Sequence, residues 1–177
     1  MSIDQSHFAL FGLAPGFALD AAALDRAYHE VQGQVHPDRH TGGDASAQRV
    51  ALQWATRANE AYQVLRDPIA RARYLCELRG IDLGVETNTR MSPQFLVEQM
   101  EWREALEEAR ETRDLAALGA LEQRLAERRA RELDHVAQLF ARNGDDTELA
   151  GAVREMMFIE KFGDDIAATL DALDSGD

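Results

Sequence analysis

Apolar residues recur every three or four positions along two neighbouring stretches in the first third of the chain. The apolar positions are Leu24, Ala27, Tyr28, Val31 and Val35 in the first stretch and Ala51, Trp54, Ala55, Ala58, Ala61, Tyr62 and Leu65 in the second. This spacing is typical of amphipathic helices. Pro37 removes a backbone N–H and disfavours helical geometry before it, so the first helix is expected to end near Val35. The pattern predicts a helical hairpin that displays His36, Pro37 and Asp38 in its connection.

Short helices are expected on either side of this hairpin. Residues 8–13 are predicted to form a short first helix, which Gly12 and Pro15 terminate. Asp67 can cap a later short helix, and Pro68 occupies the favoured first position of that helix. The apolar side of this later helix includes Cys76, which we interpret as a small buried side chain.

Three longer helical patterns follow residues 81–91, which lack helical period and are interpreted as a linker. The first helix is predicted to begin at Ser92-Pro93 and to end near Glu111. The second is capped by Asp114 and ends at Asn143-Gly144, and the third is capped by Asp146 or Thr147. The apolar positions of the second helix are Leu115, Leu118, Leu121, Leu125, Leu133, Val136, Leu139 and Phe140. Connections this short favour an antiparallel three-helix bundle. The predicted fold class is therefore all-α, with domains at 1–80 and 92–177.

The helix that begins after Ser92 carries apolar residues on two sides. At about 100° per residue, the core stripe is Phe95, Trp102, Ala105, Leu106 and Ala109. The residues that point roughly to the opposite side are Leu96, Val97, Met100, Glu101, Glu104 and Glu108. A three-helix bundle buries one stripe per helix, so folding does not explain a second apolar group rimmed by carboxylates. Such a group commonly marks a protein-binding face.

Phe158 is a similar exception in the last helix. The core stripe of that helix is Leu149, Val153, Met156, Ile159 and Leu170, and Phe158 lies more than about 90° from its centre. An aromatic residue away from the core is a candidate interface anchor. The alternative is that Phe158 and the outer apolar residues pack against the N-terminal domain or are simply exposed, since single exposed apolar residues are ordinary.

Charge and composition exclude several classes of function. The formal net charge is −13, and the acid is concentrated after residue 80, where 11 basic side chains face 23 acidic ones. Nucleic-acid binding requires clustered Lys and Arg and is not expected. No apolar stretch approaches the length of a membrane span, and the N-terminus has no features of a secretion signal. The single cysteine excludes an internal disulfide and fits a cytoplasmic location.

Catalytic and metal sites are not expected. His36 and His40 stand four residues apart with Asp38 between them, a spacing that could hold a metal on a helix. Pro37 interrupts helix in this stretch, however, and no third strong ligand is near. Paired carboxylates on a solvated helix face are expected to be surface charge rather than an acid–base pair. We therefore expect no cofactor, no metal and no enzymatic activity.

Several motifs of the N-terminal half occur in the same order as in a known module. They are Phe8, Phe11 and Leu13; His36-Pro37-Asp38 with Arg39; Asn59-Glu60-Ala61-Tyr62 with Leu65; and Asp67-Pro68. This set resembles a J-domain, the module that docks on a DnaK-type chaperone and stimulates its ATP hydrolysis. The resemblance implies that His36, Pro37, Asp38, Arg39 and Arg26 contact the chaperone.

Two segments of the C-terminal half add a more specific resemblance. Residues 95–104 (FLVEQMEWRE) and 156–162 (MMFIEKF) are similar to segments of the HscB family, co-chaperones of iron–sulphur cluster assembly. The resemblance covers nearly the whole chain. It implies that the J-domain stimulates an HscA-like, DnaK-type chaperone while the bundle binds and delivers an IscU-like scaffold. The implied scaffold contacts are Leu96, Val97, Met100, Glu101, Glu104, Glu108 and Phe158.

Departures from the family pattern leave part of this interpretation open. Val35 stands where J-domains often have Tyr, and Arg26 is the only Arg or Lys between Ala21 and Val35. In the family this helix meets the chaperone partly through positive charge, so docking here is expected to be weaker or to rely on Arg39, His29 and His40. The alternative function is a J-domain co-chaperone that delivers a different client to a general DnaK-type chaperone.

Overall fold

The computed structural model describes residues 5–35, 45–84 and 91–174. Within these ranges the chain contains helices and no strand, which confirms the predicted all-α class. The helices are α1 (His7–Leu10), α2 (Ala21–Val35), α3 (Ala45–Arg66), α4 (Pro68–Leu78), α5 (Pro93–Glu111), α6 (Leu115–Ala141) and α7 (Asp146–Asp174). The chain divides into two compact units, Met1–Arg79 and Gly80–Asp177. The functional boundaries 1–80, 81–91 and 92–177 stay a prediction.

The N-terminal unit is built on the predicted hairpin of α2 and α3. The Asp20 carboxylate accepts a hydrogen bond from the Ala22 N–H at 2.9 Å and so caps α2. Across the hairpin, the rings of Tyr28 and Tyr62 stack with their centroids 4.2 Å apart. The Tyr28 hydroxyl also donates to Asn59 Oδ1 at 2.8 Å. These aromatic and polar contacts fix the register of α2 on α3.

Helices α1 and α4 pack on α3 and complete the core of this unit. The deeply buried side chains are Phe8, Leu24, Ala58, Ala61, Leu65, Ala72 and Cys76. The Asp67 carboxylate accepts from the Ala70 N–H at 2.6 Å, and Pro68 is the first residue of α4, as the sequence predicts. Cys76 is buried, so the prediction of a small core side chain is confirmed.

The C-terminal unit is the predicted bundle of α5, α6 and α7. Ser92 Oγ accepts from the Phe95 N–H at 3.2 Å and caps α5, and Asp114 caps α6 in the same way through the Ala117 N–H at 3.0 Å. The cap of α7 is Asp145, whose carboxylate accepts from the N–H groups of Thr147 and Glu148. The predicted cap at Asp146 or Thr147 is therefore wrong by one or two residues.

The core of the bundle largely follows the predicted stripes, and Leu115 and Phe162 are two of the exceptions. Leu115, placed on the apolar side of α6 by the sequence, is 50% exposed. It is the first residue of α6, directly after the turn, and its side chain has not yet entered the contact between helices. Phe162 was not predicted in the core, yet it is buried beside Trp102, with ring centroids 5.7 Å apart.

Candidate protein-binding site

One turn of α5 exposes three large apolar side chains. Leu96 is 40% exposed, Val97 56% and Met100 62%. In the part of the chain that the structure describes, the other large exposed apolar residues are Val50, Leu52, Leu78 and Leu115. These four are dispersed over α3, α4 and α6, whereas the three on α5 are neighbours. Clustering, rather than exposure alone, distinguishes this site from an ordinary surface.

Carboxylates extend the apolar cluster along the same side of α5. Met100 follows Val97 by three residues and Leu96 by four, so the three side chains adjoin on the helix surface. Glu101, Glu104 and Glu108 are exposed and follow Val97 by four, seven and eleven residues. We call Leu96, Val97, Met100, Glu101, Glu104 and Glu108 the outer patch. It offers apolar area beside negative charge, a combination that suits a partner with an apolar surface and a basic rim.

The opposite side of α5 holds the helix in the bundle. Phe95, Trp102 and Ala109 are buried there, as the sequence predicts. Gln99 is also buried, and its Nε2 donates to the sulphur of Met91 at 2.8 Å. The helix is therefore fixed through its inner side, and the outer patch contributes little to the core of its own unit.

Phe158, which the sequence places away from the core, is half-buried in the structure. Its ring packs edge to face against Phe95, with centroids 5.7 Å apart, and lies nearly parallel to Phe162 at 6.2 Å. The helical wheel missed this contact because α7 packs against both α5 and α6 and so buries a wider arc than one stripe. The Arg103 guanidinium lies 5.6 Å from the Phe158 ring centroid. Arg103 follows Leu96 by two helical turns, so Phe158 adjoins the Leu96 side of the outer patch.

A largely buried charge cluster lies behind the outer patch. The Arg128 guanidinium donates to Glu98 Oε2 at 3.1 Å, to Glu132 Oε2 at 2.6 Å and to Glu155 Oε2 at 2.9 Å. These carboxylates come from α5, α6 and α7, so one side chain joins all three helices. Burial lowers the pKa of Arg128, but its hydrogen bonds with Glu132 and Glu98 outweigh burial and raise the pKa above its ordinary value. The arginine is therefore held in its charged form.

Glu155 gives this cluster a pH dependence. Burial raises the pKa of the Glu155 carboxyl above its ordinary value of 4.5; the hydrogen bond from Ser92 lowers it, and repulsion by Glu132 raises it. The folded state then binds this proton more tightly than the unfolded state. This contribution favours the folded state at pH values below the ordinary pKa and is lost as the pH rises through the raised pKa.

We expect Glu155→Gln to remove this pH dependence. The free energy of unfolding of the variant, relative to the wild type, should increase as the pH rises from about 4.5 towards 7, because only the wild type then ionises the carboxyl of Glu155. Urea unfolding across this range, followed by Trp102 fluorescence in a Trp54→Phe background, measures the difference. A difference that is constant with pH would contradict the expectation.

The residues predicted to bind a chaperone are only partly described. His36, Pro37, Asp38 and Arg39 lie outside the described residues, as does His40. Arg26 lies on α2 with an exposed side chain, and its guanidinium is 3.9 Å from the Asp20 carboxylate. Arg26 belongs to the N-terminal unit and the outer patch to the C-terminal unit, so the two predicted sites are on separate parts of the chain.

Two other features are absent from the described ranges, a metal-binding cluster and a helix able to span a membrane. Over residues 5–35, 45–84 and 91–174, no group of three or more His, Cys, Asp or Glu side chains is placed to hold a metal ion. Among the helices described, none has the length and apolar character needed to cross a membrane.

Comparison with known proteins identifies the relatives of the chain. Residues 91–167 match the family model described as the HSCB C-terminal oligomerisation domain. The chain is 49% identical over 175 residues to the "Co-chaperone protein HscB homolog" of Burkholderia multivorans, with 99% of each chain covered. It is 48% identical over 174 residues to the homolog of Paraburkholderia xenovorans, covering 98% of this chain and 99% of the relative.

Solved structures agree with these sequence relatives. "Chaperone HscB from Vibrio cholerae" matches with a TM-score of 0.81 and 33% identity, covering 96% of this chain and 99% of that one. Human co-chaperone protein HscB matches with a TM-score of 0.88 and 27% identity, covering 95% and 83%. The sequence resemblance carried by residues 95–104 and 156–162 is thereby confirmed, and the chain belongs to the HscB family of co-chaperones.

Proposed function

We propose that the chain is a J-domain co-chaperone of iron–sulphur cluster assembly that couples two partners by binding, without chemistry of its own. The N-terminal unit engages an HscA-like, DnaK-type chaperone and stimulates its ATP hydrolysis. The C-terminal unit binds an IscU-like scaffold and delivers it to that chaperone. The proposed location is the cytoplasm. The observation that carries the proposal is the outer patch, because it lies on the α5 segment whose sequence resembles the scaffold-binding part of the family.

The proposed scaffold contacts are Leu96, Val97, Met100, Glu101, Glu104, Glu108 and Phe158. Their chemistry supports this role: three neighbouring apolar side chains can be desolvated by a partner, while the exposed carboxylates steer a partner with basic residues. Phe158 has part of its ring buried against Phe95, so it is held rigid before binding. A pre-ordered aromatic side chain loses little conformational entropy on association.

The proposed chaperone contacts are His36, Pro37, Asp38, Arg39 and Arg26. Support comes from the order of motifs in the sequence and from the hairpin of α2 and α3, which brings the two flanking helices side by side. Arg26 is exposed and its distance from Asp20 is long for an ion pair. A surface pair of this kind contributes little to stability, so Arg26 can exchange partners at small cost.

Leu96→Ala is expected to weaken scaffold binding about tenfold, equivalent to about 1.4 kcal/mol, because it removes apolar area from the centre of the proposed contact. Leu115→Ala is the matched control, since it makes the same deletion at an exposed leucine of the same unit. Isothermal titration of each variant with purified IscU-like scaffold measures the effect. Equal losses for the two variants, or none for Leu96→Ala, would contradict the proposed site.

A further inference from the structure

Arg128 occupies an unusual position for a charged residue. Its side chain is 16% exposed, and its guanidinium reaches carboxylates on all three helices of the bundle. Arginine suits this position because its planar fork of five donors can serve several carboxylates at once. Lysine would present a single charged point.

The carboxylates that Arg128 holds on α5 and α7 are adjacent to the proposed scaffold contacts. Glu98 lies directly after Val97 and two residues before Met100 on α5. Glu155 lies three residues before Phe158, one turn away on α7. Through its contacts with Glu98 and Glu155, Arg128 therefore joins the turn of α5 that carries the apolar residues to the turn of α7 that carries Phe158.

Arg128 also contacts an aromatic ring. The Arg128 guanidinium carbon lies 5.4 Å from the centroid of the Phe95 ring. Phe95 precedes Leu96 in the sequence and packs edge to face against Phe158. Arg128 is therefore linked to Leu96 and to Phe158 through the Phe95 ring, as well as through the carboxylates of Glu98 and Glu155.

The start of α5 is tied to the same cluster. The Ser92 hydroxyl donates to Glu155 Oε1 at 2.9 Å. The same oxygen of Ser92 accepts the Phe95 N–H that caps the helix. The first turn of α5 is therefore held against α7 by a chain of hydrogen bonds that includes Arg128.

We infer that Arg128 is a positioning residue for scaffold binding: it fixes the first turns of α5 against α7 and so sets the spacing between Leu96, Met100 and Phe158. This inference rests on the proposed function. It goes beyond it because Arg128 lies on α6 behind the face, where contact with a partner is not required.

The chain offers a matched control at the next residue. Arg129 donates through Nε to Glu160 Oε2 at 2.7 Å and also joins α6 to α7. This ion pair is more exposed than the Arg128 cluster, and Glu160 lies on α7 two residues beyond Phe158. A comparison of the same substitution at the two arginines separates the specific effect of Arg128 from general weakening of the α6–α7 contact.

The experiment compares Arg128→Lys with Arg129→Lys in the full chain. We expect Arg128→Lys to raise the Kd for purified IscU-like scaffold about fivefold and Arg129→Lys to change it less than about twofold. Binding is measured by isothermal titration at a temperature where circular dichroism shows both variants folded. If Arg128→Lys does not fold, the double variant Arg128→Gln with Glu132→Gln takes its place. It removes the guanidinium of Arg128 together with the buried charge of Glu132.

Two readouts separate positioning from a loss of stability. The methyl ¹H–¹³C resonances of Leu96 and Met100 in the free protein should shift in Arg128→Lys and remain in place in Arg129→Lys. In a Phe158→Ala background, Arg128→Lys should weaken binding less than it does in the wild type, because one of the two groups it aligns is gone. The inference would be overturned if the methyl resonances did not shift in Arg128→Lys. It would also be overturned if the effects of Arg128→Lys and Phe158→Ala on the Kd simply multiplied.

The outcomes distinguish this inference from the proposed function. If the wild type does not bind the scaffold, the proposed function fails and this inference fails with it. If the wild type binds and folded Arg128→Lys binds equally well, only the inference is overturned. Weaker binding by Arg128→Lys, together with shifted methyls, supports both.

Discussion

Replacing Arg128 by methionine is expected to lower the free energy of unfolding of the C-terminal unit by about 3 kcal/mol. The substitution removes the guanidinium that pairs with Glu98, Glu132 and Glu155. Glu132 is buried, so its charge would be left without compensation in a region of low dielectric. The value is at the low end for a buried ion pair because Glu98 is partly accessible to water.

Urea and thermal unfolding of a Trp54→Phe background measure this loss, since Trp102 then reports on the C-terminal unit alone. For a unit of this size, the expected decrease in Tm is about 12 °C or more. Arg129→Met is the control and should cost less than about 1 kcal/mol, because its ion pair with Glu160 is half-exposed. If Arg128→Met costs no more than Arg129→Met, the three carboxylates are satisfied without the arginine.

Helix boundaries were predictable because the signals that set them are local. Ser92, Asp67 and Asp114 each cap the helix that the sequence assigned to them, and proline follows the first two at the position where a missing N–H costs nothing. The cap of α7 was misplaced because three polar residues follow one another after Gly144. Only the backbone geometry selects Asp145 from among them.

The outer patch was also predictable, and for a similar reason. A surplus of apolar residues on one side of α5 is a property of that helix alone, and the exposed Leu96, Val97 and Met100 confirm that they lie outside the core of their unit. The identity of the partner that binds the outer patch stays a prediction, because the properties of one chain do not specify its partner.

The charge cluster could not be predicted from the sequence. Its members lie on three helices, and Arg128 is separated from Glu98 by 30 positions and from Glu155 by 27. A wheel for each helix assigns such residues to the surface, since isolated charges are rarely buried. The half-buried position of Phe158 was missed for the same reason: it depends on how α7 packs against α5, which no single-helix pattern contains.

His36→Gln is expected to abolish stimulation of ATP hydrolysis by the partner chaperone while leaving scaffold affinity unchanged within about twofold. The sequence predicts that the tripeptide of residues 36–38 lies in the connection between two helices, where polar side chains are expected to pack little core, so its loss should affect binding more than stability. The proposed scaffold contacts lie on the separate C-terminal unit. Single-turnover ATP hydrolysis by an HscA-like chaperone, with and without scaffold, measures the first effect, and isothermal titration measures the second.

His135→Gln supplies the control for this prediction, because it makes the same substitution on α6, in the unit that should not touch the chaperone. Wild type and His135→Gln should both accelerate the single turnover, and scaffold should increase the acceleration. Acceleration by the wild type without any effect of scaffold would keep the J-domain role and favour a different client. Acceleration that persists in His36→Gln would remove the tripeptide from the mechanism, and chaperone docking would then have to depend on other residues of the N-terminal unit, with exposed Arg26 the first to test.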